Sequence, residues 1–138
     1  MTHTLFFTAL LVICCIGIHG CALYYLETSK TKNITFSEFG KFSLVLISSH
    51  LLQIILFALF YSYSFQNFNT AALFGGNLHD NFVDFFYFSI SCYTTLGIGD
   101  VFPLGEMRIT AGLEALIGLV LIAWTAAFKL VHLLKINK

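Results

Sequence analysis

Residues 82–103 read FVDFFYFSISCYTTLGIGDVFP, and this stretch decides the fold. Its apolar part, Phe82 to Thr95, gives way to Gly97 and Gly99. Crossing a bilayer takes roughly 20 apolar residues. An apolar segment too short for that, and ending in glycines, reads as a re-entrant helix that dips into the membrane and returns.

On both sides of it lie runs that are long enough to cross. Leu5 to Leu26 and Phe42 to Phe65 contain no Asp, Glu, Lys or Arg, although His50 and Gln53 fall inside the second. Ile109 to Phe128 contains one, Glu114. These runs are continuously apolar and not alternating, which favours helices over outer-membrane strands. The whole composition agrees, with 58% apolar and 10% charged residues among 138. A soluble domain carries roughly 45–50% and about 25%. So few charges cannot coat a water-facing surface, and 17% aromatic residues exclude disorder. Seven basic residues balance seven acidic ones, which removes a general electrostatic case for nucleic acid. An all-α integral membrane protein remains.

Basic residues orient the chain, because they collect on the cytoplasmic side. Lys30, Lys32 and Lys41 lie between the first two runs, and Lys129, Lys135 and Lys138 follow the last. Three crossings plus one re-entrant segment put these six of seven on one side. Arg108 is left on the other face with Asp80, Asp84, Asp100 and Glu106. The N-terminus is therefore expected outside and the C-terminus in the cytoplasm of a plasma or bacterial inner membrane. Ile18-His19-Gly20-Cys21 loosely matches a lipoprotein cleavage site, but residues 1–4 lack the basic start of a signal peptide. The Asn33-Ile34-Thr35 sequon falls on the expected cytoplasmic side. Cys14, Cys15, Cys21 and Cys92 show no metal-ligand spacing and read as small apolar residues. His19 and His50 lie on two different spans. They read as polar contacts between helices, with a haem as the alternative.

The segment Thr94-Thr95-Leu96-Gly97-Ile98-Gly99-Asp100 resembles the T-V-G-Y-G-D signature of the tetrameric pore-loop potassium channels. Phe85-Phe86-Tyr87-Phe88-Ser89 before it is similar to their aromatic pore helix. The resemblance covers residues 42–134 and implies a pore domain. Its outer helix is 42–65, its pore helix and filter 82–103, and its inner helix 108–134. Residues 1–41 then form an additional N-terminal transmembrane helix with a cytoplasmic linker, and 135–138 a short tail. It also implies a homotetramer in membrane lipid, with K+ held by the backbone carbonyls of Thr95, Leu96, Gly97 and Ile98.

Those residue types suit the task. A potassium ion entering a narrow pore exchanges its water shell for oxygen ligands, and carbonyls supply fixed dipoles without a trapping charge. Aiming successive carbonyls at one axis needs some positive φ, which Gly97 and Gly99 permit. Leu96 and Ile98 are expected to point their side chains into the packing behind the filter. Asp100 stands at the mouth, where a carboxylate concentrates cations. Ile98 departs from the usual Tyr, so packing alone must hold the filter's width. Ser91 stands where some relatives carry a pore-helix carboxylate, so that support is expected to be missing.

Two inner-helix residues stand out. Glu114 is an ionisable residue inside a span, which marks function by default. It lies about 9 Å along the axis from Arg108, at ~1.5 Å per residue. Tyr93, Thr94 or Ser91 would be its partners in bracing the filter; the alternative is a carboxyl that faces a wet crevice near the outer surface. Gly118 falls where related pores often have a hinge, and glycine loosens a helix by about 1 kcal/mol relative to Ala; close helix packing is the equal alternative. No span has the Arg or Lys periodicity of a voltage sensor. The ten residues after Phe128 leave no room for a ligand-binding gate. The expected function is passive, potassium-selective conduction without catalysis. A weakly selective monovalent cation channel is the alternative, with a non-conducting scaffold or haem-binding protein further off.

Overall fold

Each apolar run forms a helix, because backbone polar groups away from water must be satisfied within their own segment. Helix α1 spans Thr2–Thr28, α2 Phe36–Asn67 and α4 Met107–Ile136, and all three are long and apolar enough to cross a bilayer. The shorter α3, Phe82–Tyr93, lies between α2 and α4 in the chain. These elements come from a computed structural model that describes residues 2–29, 36–67, 71–75 and 81–136. Lys30, Lys32, the Asn33-Ile34-Thr35 sequon, Asp80 and Lys138 lie outside the described residues.

Helix α2 begins at Phe36, before the apolar run that starts at Phe42. Helical hydrogen bonds do not require apolar neighbours, so the helix continues past the hydrocarbon layer. Two five-residue strands flank the α3 region. Strands β1, Ala71–Gly75, and β2, Val101–Gly105, pair antiparallel with Leu73 opposite Pro103. Proline is tolerated there because each strand of a two-stranded sheet is an edge. Neither carries a polar–apolar alternation, so the sequence does not announce them.

Helix α3 has a defined start. Asn81 adopts an extended conformation, and its side chain accepts the Asp84 N–H at 3.1 Å. Asp84 in the first turn adds a charge that suits the positive end of the helix dipole. Phe85 and Phe88 then bury against Phe57, Ala58 and Tyr61 of α2 and against Ala111, Ile117 and Leu121 of α4. The Tyr61 and Phe88 rings meet edge to face at 5.0 Å. A second cluster, Leu23, Leu26, Phe42 and Leu46, closes α1 on α2. The Thr8 and Thr110 hydroxyls, 2.9 Å apart and buried, tie α1 to α4. Large apolar side chains such as Phe6, Ile13, Leu44, Leu116 and Leu134 face outward, as lipid contact requires. The chain is an integral membrane protein.

Candidate functional site

The loop after α3 is built by an unequal use of backbone groups. Thr95 N–H donates to the Cys92 carbonyl at 2.9 Å. Leu96 and Gly97 N–H both donate to the Ser91 carbonyl, at 3.0 and 3.2 Å. Ile98 N–H donates to the Ser91 hydroxyl at 3.3 Å. Four consecutive N–H groups are thus anchored to the end of α3. Among the described residues, no backbone hydrogen bond reaches the carbonyls of Thr95 to Gly99. Residues 95–99 are exposed, so these carbonyl lone pairs are accessible to water or to a cation.

Backbone dihedrals follow the same alternation. Thr95 has φ 59°, Gly97 58° and Gly99 85°, so every second residue is left-handed. Glycine adopts such values freely, whereas Thr95 is the single non-glycine residue with positive φ among the described residues. Strain of that kind persists only where surrounding bonds impose it. Here the anchored N–H groups on both sides do so. Leu96 and Ile98 are 64% and 54% exposed; within one chain their side chains find no packing.

Asp100 is held at the far end of the loop. The Tyr87 hydroxyl lies 2.9 and 3.1 Å from its two carboxylate oxygens. Oδ1 also accepts the Val101 N–H at 3.0 Å. The loop is therefore fastened to α3 at both ends.

Glu114 is fully buried. It accepts the Tyr61 hydroxyl at 2.6 Å and meets the Ser89 hydroxyl at 2.5 Å. Its expected partners are engaged elsewhere. Thr94 Oγ1 donates to the Ile90 carbonyl, the Tyr93 hydroxyl donates to Gln53 Oε1, and Ser91 Oγ accepts from Ile98. The cause is side-chain direction. Helical side chains lean toward the N-terminus of their helix, so Glu114 reaches Ser89, two residues nearer the start of α3 than Ser91. Ser89 Oγ also lies 2.8 Å from the Ile54 carbonyl. One hydroxyl hydrogen cannot serve both acceptors. Both contacts are hydrogen bonds together only when Glu114 is the neutral acid and donates to Ser89.

Gly118, also buried, marks a close approach of α4 to α3. A Cβ there would overlap the Tyr93 carbonyl group and lie 3.1 Å from the Tyr93 Cα. This packing role is independent of any hinge. His19 and His50 are brought together, with ring centroids 5.0 Å apart. All four of their nitrogens face Ser49, Thr125 or Tyr93.

Sequence reasoning missed Tyr61, Gln53 and Ser89, and Ser91, expected among the partners of Glu114, instead accepts the Ile98 N–H. A signal existed for the first two. His50, Gln53, Phe57 and Tyr61 recur at three- and four-residue spacing, so they share the α2 face that meets α3. Nothing local distinguishes Ser89 from Ser91.

A family model described as "Ion channel" matches residues 49–131, more than half of the chain. The match runs from α2 through α3 and the loop to α4, and it leaves α1 outside. The chain belongs to this pore-loop ion-channel family. No curated protein and no solved structure matches it.

Proposed function

We propose that this ion-channel family member forms a homotetramer that conducts potassium passively through the carbonyls of Thr95, Leu96, Gly97 and Ile98. One observation carries the reading. Four N–H groups of the loop are anchored to α3, while the carbonyls of the same stretch have no partner among the described residues. A cation exchanging its water shell for carbonyl oxygens is the natural occupant. A single chain offers oxygens from one side only. Four chains around a closed axis surround the ion. Adjacent subunits would also cover the exposed Leu96 and Ile98. Asp100 concentrates cations at the mouth, and Gly118 is a candidate hinge. With Lys41 and Lys129 toward the cytoplasm, the loop opens to the outside.

Reversal potentials for potassium and sodium in a planar bilayer test the proposal. A clear potassium preference supports it. Absence of cation current, together with a monomer in native mass spectrometry, sinks it. Ile98 favours a second reading. Its side chain has no hydroxyl to bond across to a cuff, and it is more than half exposed in the lone chain. A reversal potential near zero under opposed potassium and sodium gradients would select the weakly selective cation channel.

A further inference from the structure

Helix α1 lies outside the matched pore family region, yet a chain of buried and half-buried side chains runs from it to the end of α3. His19 of α1 approaches Thr125 of α4, with Nε2 3.3 Å from Oγ1. The same Thr125 oxygen lies 2.9 Å from Nε2 of His50 on α2. Nδ1 of His50 lies 2.8 Å from the Tyr93 hydroxyl, which donates to Gln53 Oε1. Tyr93 is the last residue of α3, two before Thr95. His19, Gln53 and Tyr93 are all essentially excluded from solvent.

Counting hydrogens fixes the His50 end of this chain. Tyr93 has a single hydroxyl hydrogen, spent on Gln53, so its oxygen accepts from Nδ1–H of His50. A neutral His50 then accepts at Nε2, and the Thr125 hydroxyl supplies that hydrogen. Thr125 Oγ1 also meets Nε2 of His19, whose Nδ1 lies 3.2 Å from a Ser49 hydroxyl that donates to the Leu46 carbonyl. Thr125, His50, Tyr93 and Gln53 thus donate in sequence, and the His50 tautomer is set by its partners. Every link crosses between elements, and the last returns to α2. Removing an inner link leaves buried donors and acceptors unpaired, which costs more than the bond itself.

We infer that His50 and His19 are positioning residues for the filter. They act through the Thr125 and Tyr93 hydroxyls and make α1 part of the machinery that holds the Thr95 end of the loop in place. The inference rests on the channel reading and assigns α1 a role within it. His50→Leu and His19→Leu fill the ring volume but break the chain. Asn at 50 places an amide donor near the lost Nδ1–H, and Gln at 19 places an amide, donor and acceptor both, near Thr125. Thr125→Val deletes one hydroxyl at nearly constant shape and is the variant least able to disturb folding.

The test measures the potassium-to-sodium permeability ratio in bilayers, with native mass spectrometry confirming assembly of each variant. The Leu and Val variants should lower the ratio by about two- to tenfold, the range that one net hydrogen bond corresponds to. His50→Asn and His19→Gln should restore most of it. A packing role predicts the reverse order, with Leu tolerated and the amides harmful. A potassium-selective wild type whose Leu and Val variants keep the full ratio overturns this inference alone. A wild type that passes no cation overturns the channel reading with it.

Discussion

The loop from Thr95 to Gly99 and the pocket around Glu114 are both fastened to α3 but are stabilised in opposite ways. In the loop the unbonded polar atoms are backbone carbonyls, side chains are exposed, and order comes from N–H groups pinned to Ser91 and Cys92. In the pocket the polar atoms belong to a side chain. Glu114 is fully buried and its oxygens meet the Tyr61 and Ser89 hydroxyls. The loop therefore tolerates changes of side-chain chemistry better than changes of backbone freedom. The pocket tolerates the reverse.

Breaking the loop should have the largest effect. Gly97→Ala or Gly99→Ala forces an L-residue to φ 58° or 85°, at a cost on the order of 1–3 kcal/mol per copy. Potassium flux from proteoliposomes should vanish while membrane insertion persists. Unaltered flux in both variants would remove the loop from the ion path.

Next comes the joint between the regions. In Gly118→Ala the new methyl meets the Tyr93 carbonyl group, so α4 must shift away from α3. Overpacking of this kind costs typically 1–3 kcal/mol. A lower melting temperature and altered open duration are expected. A variant indistinguishable from wild type in both would show that α4 moves freely against α3.

The pocket should respond in a graded way. Glu114→Ala strands the Tyr61 hydroxyl in an apolar setting, at about 1–3 kcal/mol, while Ser89 keeps the Ile54 carbonyl. Single-channel openings should become brief. Glu114→Gln keeps both an acceptor and a donor and should stay closer to wild type. Equal open durations in all three proteins would separate Glu114 from the filter.

Ile98→Tyr is the gentlest probe, because the 54% exposed side chain leaves room at the loop's flank. Potassium preference should rise or stay level. A marked fall would mean that the neighbouring subunit's surface is shaped to Ile and not to an aromatic ring.

Much of this architecture is legible before folding. Leu5 to Leu26, Phe42 to Phe65 and Ile109 to Phe128 declare themselves because a bilayer demands length and apolarity, both of which are local properties. The need for positive φ at Gly97 and Gly99 is equally local, since it is a property of the residue type. Thr95 shows the limit. Nothing in a threonine announces φ 59°; anchored neighbours impose it. The strands β1 and β2 were hidden because pairing across the filter, not alternation, creates them. The partners of Glu114 depended on how far side chains lean along α3 and α4, which decides between Ser89 and Ser91. The meeting of His19, His50, Thr125 and Tyr93 needed four elements to converge. A single sequence specifies which residues seek burial or a hydrogen bond. Only the packed structure decides which of them find each other, because those distances depend on every helix at once.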